Sequence, residues 1–340
     1  MAVTYKETTR DVDFEEVKKV LSTAFGHREH AFRNIETVFK NSAHCVFAYD
    51  GDRLIGAGRA LSDGYEWAGL YNIGILPEYQ GKGVGKELIK RLMDRLKGQH
   101  IFLYTHPRTV SLYEHLGFKR SKTAFTYVGI PNPEKESFLD KSGFFLPEGY
   151  RFEEEFYERK PFIEYKNVIR KTDVNEVIYS DSPDGADYDE INSVLSKAFG
   201  GHERDIGKTR DVFMRSQNVE YARVSGKIVG VARAVTDGAE QAIILNVAVD
   251  PEYQGLKIGW NLVVKLAEQL KGYHIFLNTH PGAVGFYNRP GFRRNKTAMC
   301  FDPVQMPEEV ARGFELPAGY RFPDEYSNEE MKYYKGKIYS

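Results

Sequence analysis

"PEYQGKGVGKEL", Pro77 to Leu88, returns farther along the chain as "PEYQGLKIGWNL", Pro251 to Leu262. In the first copy Gly81, Gly83 and Gly85 are spaced by two, after a buried-strand pattern, "AGLYNIGIL". "KELIKRLMDRLK" follows, with Leu88, Ile89, Leu92, Met93 and Leu96 on one helical face. In a strand, glycine loop and helix so ordered, successive backbone N–H groups can face one anion, and the helix adds its positive N-terminal end. A phosphate or pyrophosphate is the natural guest. "GKGVGK" is neither the dinucleotide fingerprint nor a Walker loop, because the final Gly and the Gly-Lys-Ser/Thr ending are absent.

The loop is one landmark of a long internal repeat. Gln80 and Gln254 differ by 174 positions, as do Ala24 and Ala198 of "AFG", Thr105 and Thr279 of "THP", Gly117 and Gly291 of "GF", and Lys122 and Lys296 of "KTA". "LPEGYRF" from Leu146 matches "LPAGYRF" from Leu316 at an offset of 170, so the second copy has lost four residues before this tail. Solenoid repeats run about 20–50 residues, so each copy is expected to be a whole domain. The expected division is 1–170 and 171–340, joined near Lys171–Asp187, with "VIYS" opening the second domain.

Within the first copy, "VDFEEVKKVLSTAF" has helical spacing and ends at Gly26, and "HCVFAYDGDRLIGAGRALSDG" reads as a hairpin. "HIFLYTH" reads as a strand, "VSLYEHL" as a short helix closed by Gly117, and "KTAFTYVGI" as a final strand. The expected fold is α/β: two tandem domains, each a mixed, mostly antiparallel sheet flanked by helices.

Residues 1–170 hold 26 basic and 24 acidic side chains, and residues 171–340 hold 21 and 24. Neither half has the basic excess of a nucleic-acid binder, so a small-molecule or peptide substrate is favoured. Cys45 and Cys300 stand at unrelated positions and suggest neither a disulfide framework nor a metal site. The N-terminus lacks the apolar core of a signal peptide and no apolar run approaches the ~18 residues that span a bilayer, giving an expectation of a cytoplasmic protein without membrane partners.

Gln80-Gly81-Lys82-Gly83-Val84-Gly85, "LPEYQGKG" and "SLYEHLGF" around Tyr113 together resemble the GNAT family of N-acetyltransferases. The resemblance covers nearly all of the first copy and most of the second. It implies acetyl-CoA as acetyl donor and a primary amine as acceptor. The tandem form resembles the self-resistance acetyltransferases for aminated antibiotics of the zwittermicin and paenilamicin kind.

The resemblance also implies roles. Backbone N–H groups on Ile73-Gly74-Ile75 would pair with the cofactor arm and stabilise developing negative charge. Gln80, Gly81, Lys82, Gly83, Val84, Gly85 and Lys86 would hold the pyrophosphate, and His106 stands where relatives contact the arm. Tyr113 matches the family's general acid; with a reference pKa of ~10 it remains protonated at working pH. An alkyl amine, with a reference pKa of ~10.4, needs a proton acceptor. Glu29 and its repeat Glu203 follow the first helix and are expected to serve the amine, with Glu66 and its repeat Glu240 as competing carboxylates. Asn72 recurs as Asn246 within a strand, open to substrate contact or sheet packing. Asp63 and Asp237, each before a glycine, read as turn residues.

In the second copy the matching positions are Val247, Val249, Gln254, Gly255, Gly259 and Tyr287, but Lys257 replaces the first family glycine and Trp260 replaces Lys86. Two architectures follow. In one, the first copy catalyses and the second completes the cleft, a monomer whose halves mimic a dimer. In the other, both act. A non-catalytic acetyl-CoA-responsive or peptide-binding module, and acyl transfer to a peptide or protein amine, are the alternatives.

Overall fold

The structure is a computed structural model describing residues 2–26, 32–127, 144–147, 150, 152, 168–174, 176–201, 203–288, 291–304, 306–317, 319, 320 and 322. The first copy begins with β1 (Val3–Lys6) and α1 (Phe14–Ala24), whose first turn is capped by Asp13 accepting from the Glu15 and Glu16 N–H groups at 2.9 and 3.3 Å. α2 (Ile35–Lys40) leads to the hairpin of β2 (His44–Asp50) and β3 (Arg53–Ser62), turned at Gly51 with φ +60°. β4 (Trp67–Ile75), α3 (Val84–Arg95), β5 (His100–Tyr104), α4 (Val110–Glu114), β6 (Lys119–Arg120) and β7 (Ala124–Tyr127) complete it.

The second copy repeats the order. β8 (Ile178–Ser180), α5 (Tyr188–Ala198), α6 (Ile206–Arg215), β9 (Asn218–Val224), β10 (Lys227–Thr236) and β11 (Gln241–Val249) come first. α7 (Ile258–Gln269), β12 (His274–Asn278), α8 (Val284–Tyr287), β13 (Phe292–Arg294), β14 (Ala298–Phe301) and α9 (Glu308–Phe314) follow.

Each half carries a seven-stranded sheet, ordered β1-β2-β3-β4-β5-β14-β6 and β8-β9-β10-β11-β12-β7-β13. Among the described residues the parallel neighbours are β4 with β5 and β11 with β12. The last strand of each copy has crossed to the other sheet: Cys300 lies opposite Phe102, and Thr126 opposite Phe276. The expected division at residue 170 follows the duplication but not the sheets, because each sheet takes its sixth strand from the other half.

Apolar burial explains why the crossing holds. Leu61, Tyr71, Phe102, Val235, Ile243, Leu245 and Phe276 form one core between the halves, with the Phe102 and Phe276 ring centres 5.2 Å apart. Burying such a side chain is worth roughly 1.5–3 kcal/mol. At the crossing, Thr105 N–H donates to Thr297 O and Thr279 N–H to Thr123 O. The two repeated tails clamp it: Leu146 N–H donates to Arg294 O, Leu316 N–H to Arg120 O, and the Phe322 and Phe152 rings face the Arg120 and Arg294 guanidinium groups at 5.0 and 5.1 Å.

Candidate active site

β4 accompanies β5 for three residues only, Trp67–Gly69 beside His100–Phe102. On its other edge β5 pairs with β14 along Ile101–Tyr104, and beyond Gly69 β4 has no neighbouring strand on the β5 side among the described residues. Leu76 N–H donates to Ile55 O on the β3 side. Alternation along the strand then turns the Gly74 peptide groups toward β3 and those of Ile73 and Ile75 to the open edge. The side chains of Ile73 and Ile75 lie over Gly58 and Gly56 of β3, where a Cβ would come within 2.7 and 2.4 Å of them.

Gly74 therefore differs from its two neighbours. It pairs with Ala57, and a Cβ there would lie 2.7 Å from Leu21 Cδ2 and 3.1 Å from Ala24 Cβ. Close approach by α1 accounts for this glycine; the expected donor role fits Ile73 and Ile75.

Gly81 and Gly83 adopt φ +73° and +84°, and a Cβ on either would meet nothing within 4 Å. Backbone conformation, rather than crowding, demands glycine here, and the space above the loop is open. Gly83 leads directly into α3, whose first turn contains Val84, Gly85 and Lys86. Gln80 Nε2 donates to Ile75 O at 3.0 Å, tying the loop to the open edge of β4. Lys82 and Lys86 are exposed, and the Lys82 ammonium stands 5.2 Å from the Tyr79 ring centre. An uncrowded nest of N–H groups at a helix start beside an unpaired strand edge fits a phosphorylated, amide-bearing cofactor such as acetyl-CoA.

Tyr113 is buried on α4, its ring edge-on to Phe118 at 5.6 Å. Burial pushes its phenol well above the usual value, while a hydrogen bond with the Thr105 side chain acts the other way. It therefore keeps its proton through neutral pH and can donate it. His106 begins the turn after β5 with its ring edge-on to Phe144 at 6.2 Å. Its repeat, His280, accepts the Gly282 N–H on Nδ1 at 3.0 Å, and burial lowers it to about 4. His280 thus shows a turn-capping role at this position.

The second loop keeps the backbone and changes the surroundings. Gln254 Nε2 donates to Val249 O at 3.2 Å, and Asp250 N–H donates to Val229 O, which turns Val247 and Val249 to the corresponding open edge. Gly255 has φ +93°, and Lys257 takes φ +61° and ψ 7° where Gly83 takes +84° and −9°. The Phe286 ring lies 3.6 Å from where a Cβ on Gly259 would stand, and Trp260 packs edge-on to Phe286 and Phe292. Tyr287 is buried and its phenol is raised by burial.

The acidic expectations fare differently. Glu29 lies outside the described residues, and Glu203 is exposed. Glu66 is not an open carboxylate for substrate: it pairs with Lys208 Nζ at 2.9 Å and Arg204 Nη2 at 3.5 Å, both on the other half. Asn72 is likewise engaged, accepting Arg59 Nε at 2.5 Å on Oδ1 while its backbone takes φ +52°. Of the two roles open to it, the structure displays the packing one.

Sequence reading missed Arg59 and Arg233. Each is fully buried and pairs across the halves at 2.7 Å, Arg59 with Asp237 and Arg233 with Asp63. The aspartates also cap turns, as expected: Asp63 Oδ1 accepts from the N–H groups of Tyr65, Glu66 and Trp67. Burial would raise Asp63, but Arg233 and these N–H donors hold its carboxyl below the usual range. The 174-residue recurrence of both residue types was the available signal. A groove of about 560 Å³ lined by Ala186, Tyr188, Ile206 and Arg210 shares no residue with either loop.

The sequence also matches known proteins. The acetyltransferase (GNAT) family model matches residues 12–118, and an acetyltransferase (GNAT) domain model matches residues 215–294. The GCN5-related N-acetyltransferase 1, chloroplastic, of Arabidopsis thaliana is 36% identical over 115 residues, spanning 32% of this chain and 57% of that protein. The uncharacterized N-acetyltransferase ycf52-like of Prochlorococcus marinus is 30% identical over 129 residues, spanning 35% of this chain and 71% of its own length. Among solved structures, a tandem GNAT protein from the clavulanic acid biosynthesis pathway aligns over 90% of this chain and 100% of its own, with TM-score 0.46 and 14% identity. With two matched regions, each holding a glycine loop between a splayed strand and a helix, the chain is a tandem-domain acyltransferase belonging to the GNAT family of N-acetyltransferases.

Proposed function

We propose that the first half transfers the acetyl group of acetyl-CoA to a primary amine of a small molecule, and that the second half buttresses it without binding acetyl-CoA. The observation that carries this reading is the difference between the loops: Lys257 stands in the place of Gly83, and where a Cβ on Gly85 would meet only Ile75, one on Gly259 would also meet the Phe286 ring, on which Trp260 packs. Acetyl-CoA would supply an activated thioester and a thiolate leaving group. Gly81, Lys82, Gly83, Val84, Gly85 and Lys86 would bind its pyrophosphate, while Ile73 and Ile75 present backbone groups to its arm and to developing negative charge. Gln80 holds loop and strand together, and Tyr113 keeps a proton at its hydroxyl for the departing sulfur.

Glu29 is proposed to receive the ammonium group of the acceptor, with the water-facing Glu203 left to the second half. An aminated antibiotic is the acceptor class to try first, resting on the likeness of the tandem form to self-resistance enzymes. One chain would suffice as the working unit, its halves replacing the subunits of a dimer.

Calorimetric titration with acetyl-CoA, joined to thiol release across a panel of amines, tests this. One site per chain is expected; Gly83→Glu should weaken binding more than tenfold and Gly259→Glu should leave it near the parent value. Tyr113→Phe should lower kcat on the order of 10²-fold while leaving acetyl-CoA affinity near normal. A stoichiometry of two, or full turnover by Gly83→Glu, overturns the one-site reading.

A further inference from the structure

We propose that Asp237, in the second half, is a positioning residue for the catalytic strand of the first, acting through Arg59 and Asn72. The inference rests on the reading that the first half carries the chemistry.

It begins with the extra residue in β4. Tyr71 lies opposite Arg59 and Gly74 opposite Ala57, so β4 advances three residues where β3 advances two. Such a bulge inverts the alternation beyond it, and this is what delivers the Ile73 peptide groups to the open edge instead of to β3. Asn72 is the residue with left-handed φ at the bulge, and Ile73 follows it directly.

Arg59 holds that residue. Its Nε donates to Asn72 Oδ1 at 2.5 Å, Nη1 to Ser42 Oγ at 3.2 Å, and Nη2 to Asp237 Oδ2 at 2.7 Å, with the Tyr71 ring 5.2 Å from the guanidinium. Arg59 and Asp237 are both wholly buried, so neither can exchange its partner for water. Asp237 is fixed in turn, its Oδ1 accepting from the N–H groups of Ala239, Glu240 and Gln241 at 3.1, 2.7 and 2.9 Å. A rigid turn in one half therefore sets, through two side chains, the bulge that aims a backbone donor in the other. Neutralising Asp237 would leave a buried guanidinium uncompensated and free to draw Asn72 out of place.

The duplication supplies its own control. Asp63 pairs with Arg233 at 2.7 Å, and Arg233 Nε donates at 2.5 Å to Asn246, which has φ +50° and precedes Val247. The two networks match as structural supports but end on different strands. A role in stability alone would be shared; a role in catalysis would not.

The test compares Asp237→Asn with Asp63→Asn in the full chain, by melting temperature, kcat and the KM for acetyl-CoA. Both variants should lose similar thermal stability. Asp237→Asn should lower kcat by roughly ten- to hundredfold, the scale of a small misplacement at a reacting centre, with KM changed less than about threefold. Asp63→Asn should keep kcat within about twofold of the parent. Asn72→Gly covers the case in which Asp237→Asn fails to fold: it retains the left-handed backbone without the Arg59 contact, and should also lose kcat while remaining folded. Equal effects of the two aspartate variants on kcat, or full turnover by folded Asn72→Gly, would reduce Asp237 to a support between the halves. Loss of kcat in Asp63→Asn alone, with thiol release surviving Gly83→Glu, would overturn the reading beneath the proposal by moving the chemistry to the second half.

Discussion

Lys257 holds a left-handed backbone where the first copy has Gly83, and it does so without a side-chain cap. An L-residue in that conformation costs about 1–2 kcal/mol, against which glycine's extra unfolded-state freedom sets about 0.5–1 kcal/mol. Lys257→Gly should therefore stabilise the protein by about 0.5–1 kcal/mol, raising the melting temperature by about 1–3 °C. Differential scanning calorimetry checks this; a lower melting temperature would mean that the lysine side chain makes a stabilising contact. The glycine loop was legible because glycines spaced by two between a strand and a helix announce a backbone need, whereas Gln80 and Tyr113 stood out only through the resemblance to the family. Asn72 was not legible, because a polar residue in a strand looks alike whether it meets substrate or a buried arginine from 13 positions away, and neither was Glu66, whose partners Lys208 and Arg204 come from the other half. Asp63 and Asp237 were half legible: a turn-capping oxygen follows from Asp-Gly, but the second oxygen's partner lies in the other repeat.

At the scale of elements, the end of β4 is shaped from both faces. α1 presses on Gly74 from one side while Ile73 and Ile75 cover the glycines of β3 on the other. Gly74→Ala would drive a methyl into Leu21, Ala24 and Phe25, contacts of 2.7 to 3.1 Å that only movement of α1 can relieve. Such overpacking is expected to cost about 1–3 kcal/mol and, by shifting the open edge, to raise the KM for acetyl-CoA. Chemical denaturation together with steady-state kinetics measures both, and an unchanged midpoint would show that α1 yields freely. The second copy has Ala248 at this place, buried among Ile191, Val194 and Leu195, so a differently set α5 accommodates the methyl there. Helices and strands with clear periodicity were readable from sequence. β1 and α2, of four and six residues, were not.

For the whole molecule, the exchange of β7 and β14 means that neither half can complete its sheet alone. We expect a single cooperative unfolding transition for the full chain. Residues 1–170 and 171–340 made separately should be aggregated or self-paired, and should recover acetyl-CoA binding only on co-expression; size-exclusion chromatography and titration would detect this. An isolated, monomeric first half with normal affinity would contradict it. The duplication was plain from the constant offset, but the crossing was hidden. "KTAFTY" and "KTAMCF" share the pattern that lets either strand pair with either neighbour, and periodicity does not say whose edge a strand will join.

That crossing also sets a timetable. β5 ends at Tyr104, yet the strand that covers its edge ends at Phe301, so nearly the whole second copy must leave the ribosome before the first sheet closes. At synthesis rates of about 5–20 residues per second, the apolar edge of Ile101, Phe102 and Leu103 waits for roughly 10–40 s. The nascent first half can meanwhile pair β5 with its own β7, a kinetic competitor of the same length and similar pattern. Maturation would then require that early pairing to be undone, so translation speed and chaperone supply would govern the yield of active protein, even for variants whose final stability is unchanged.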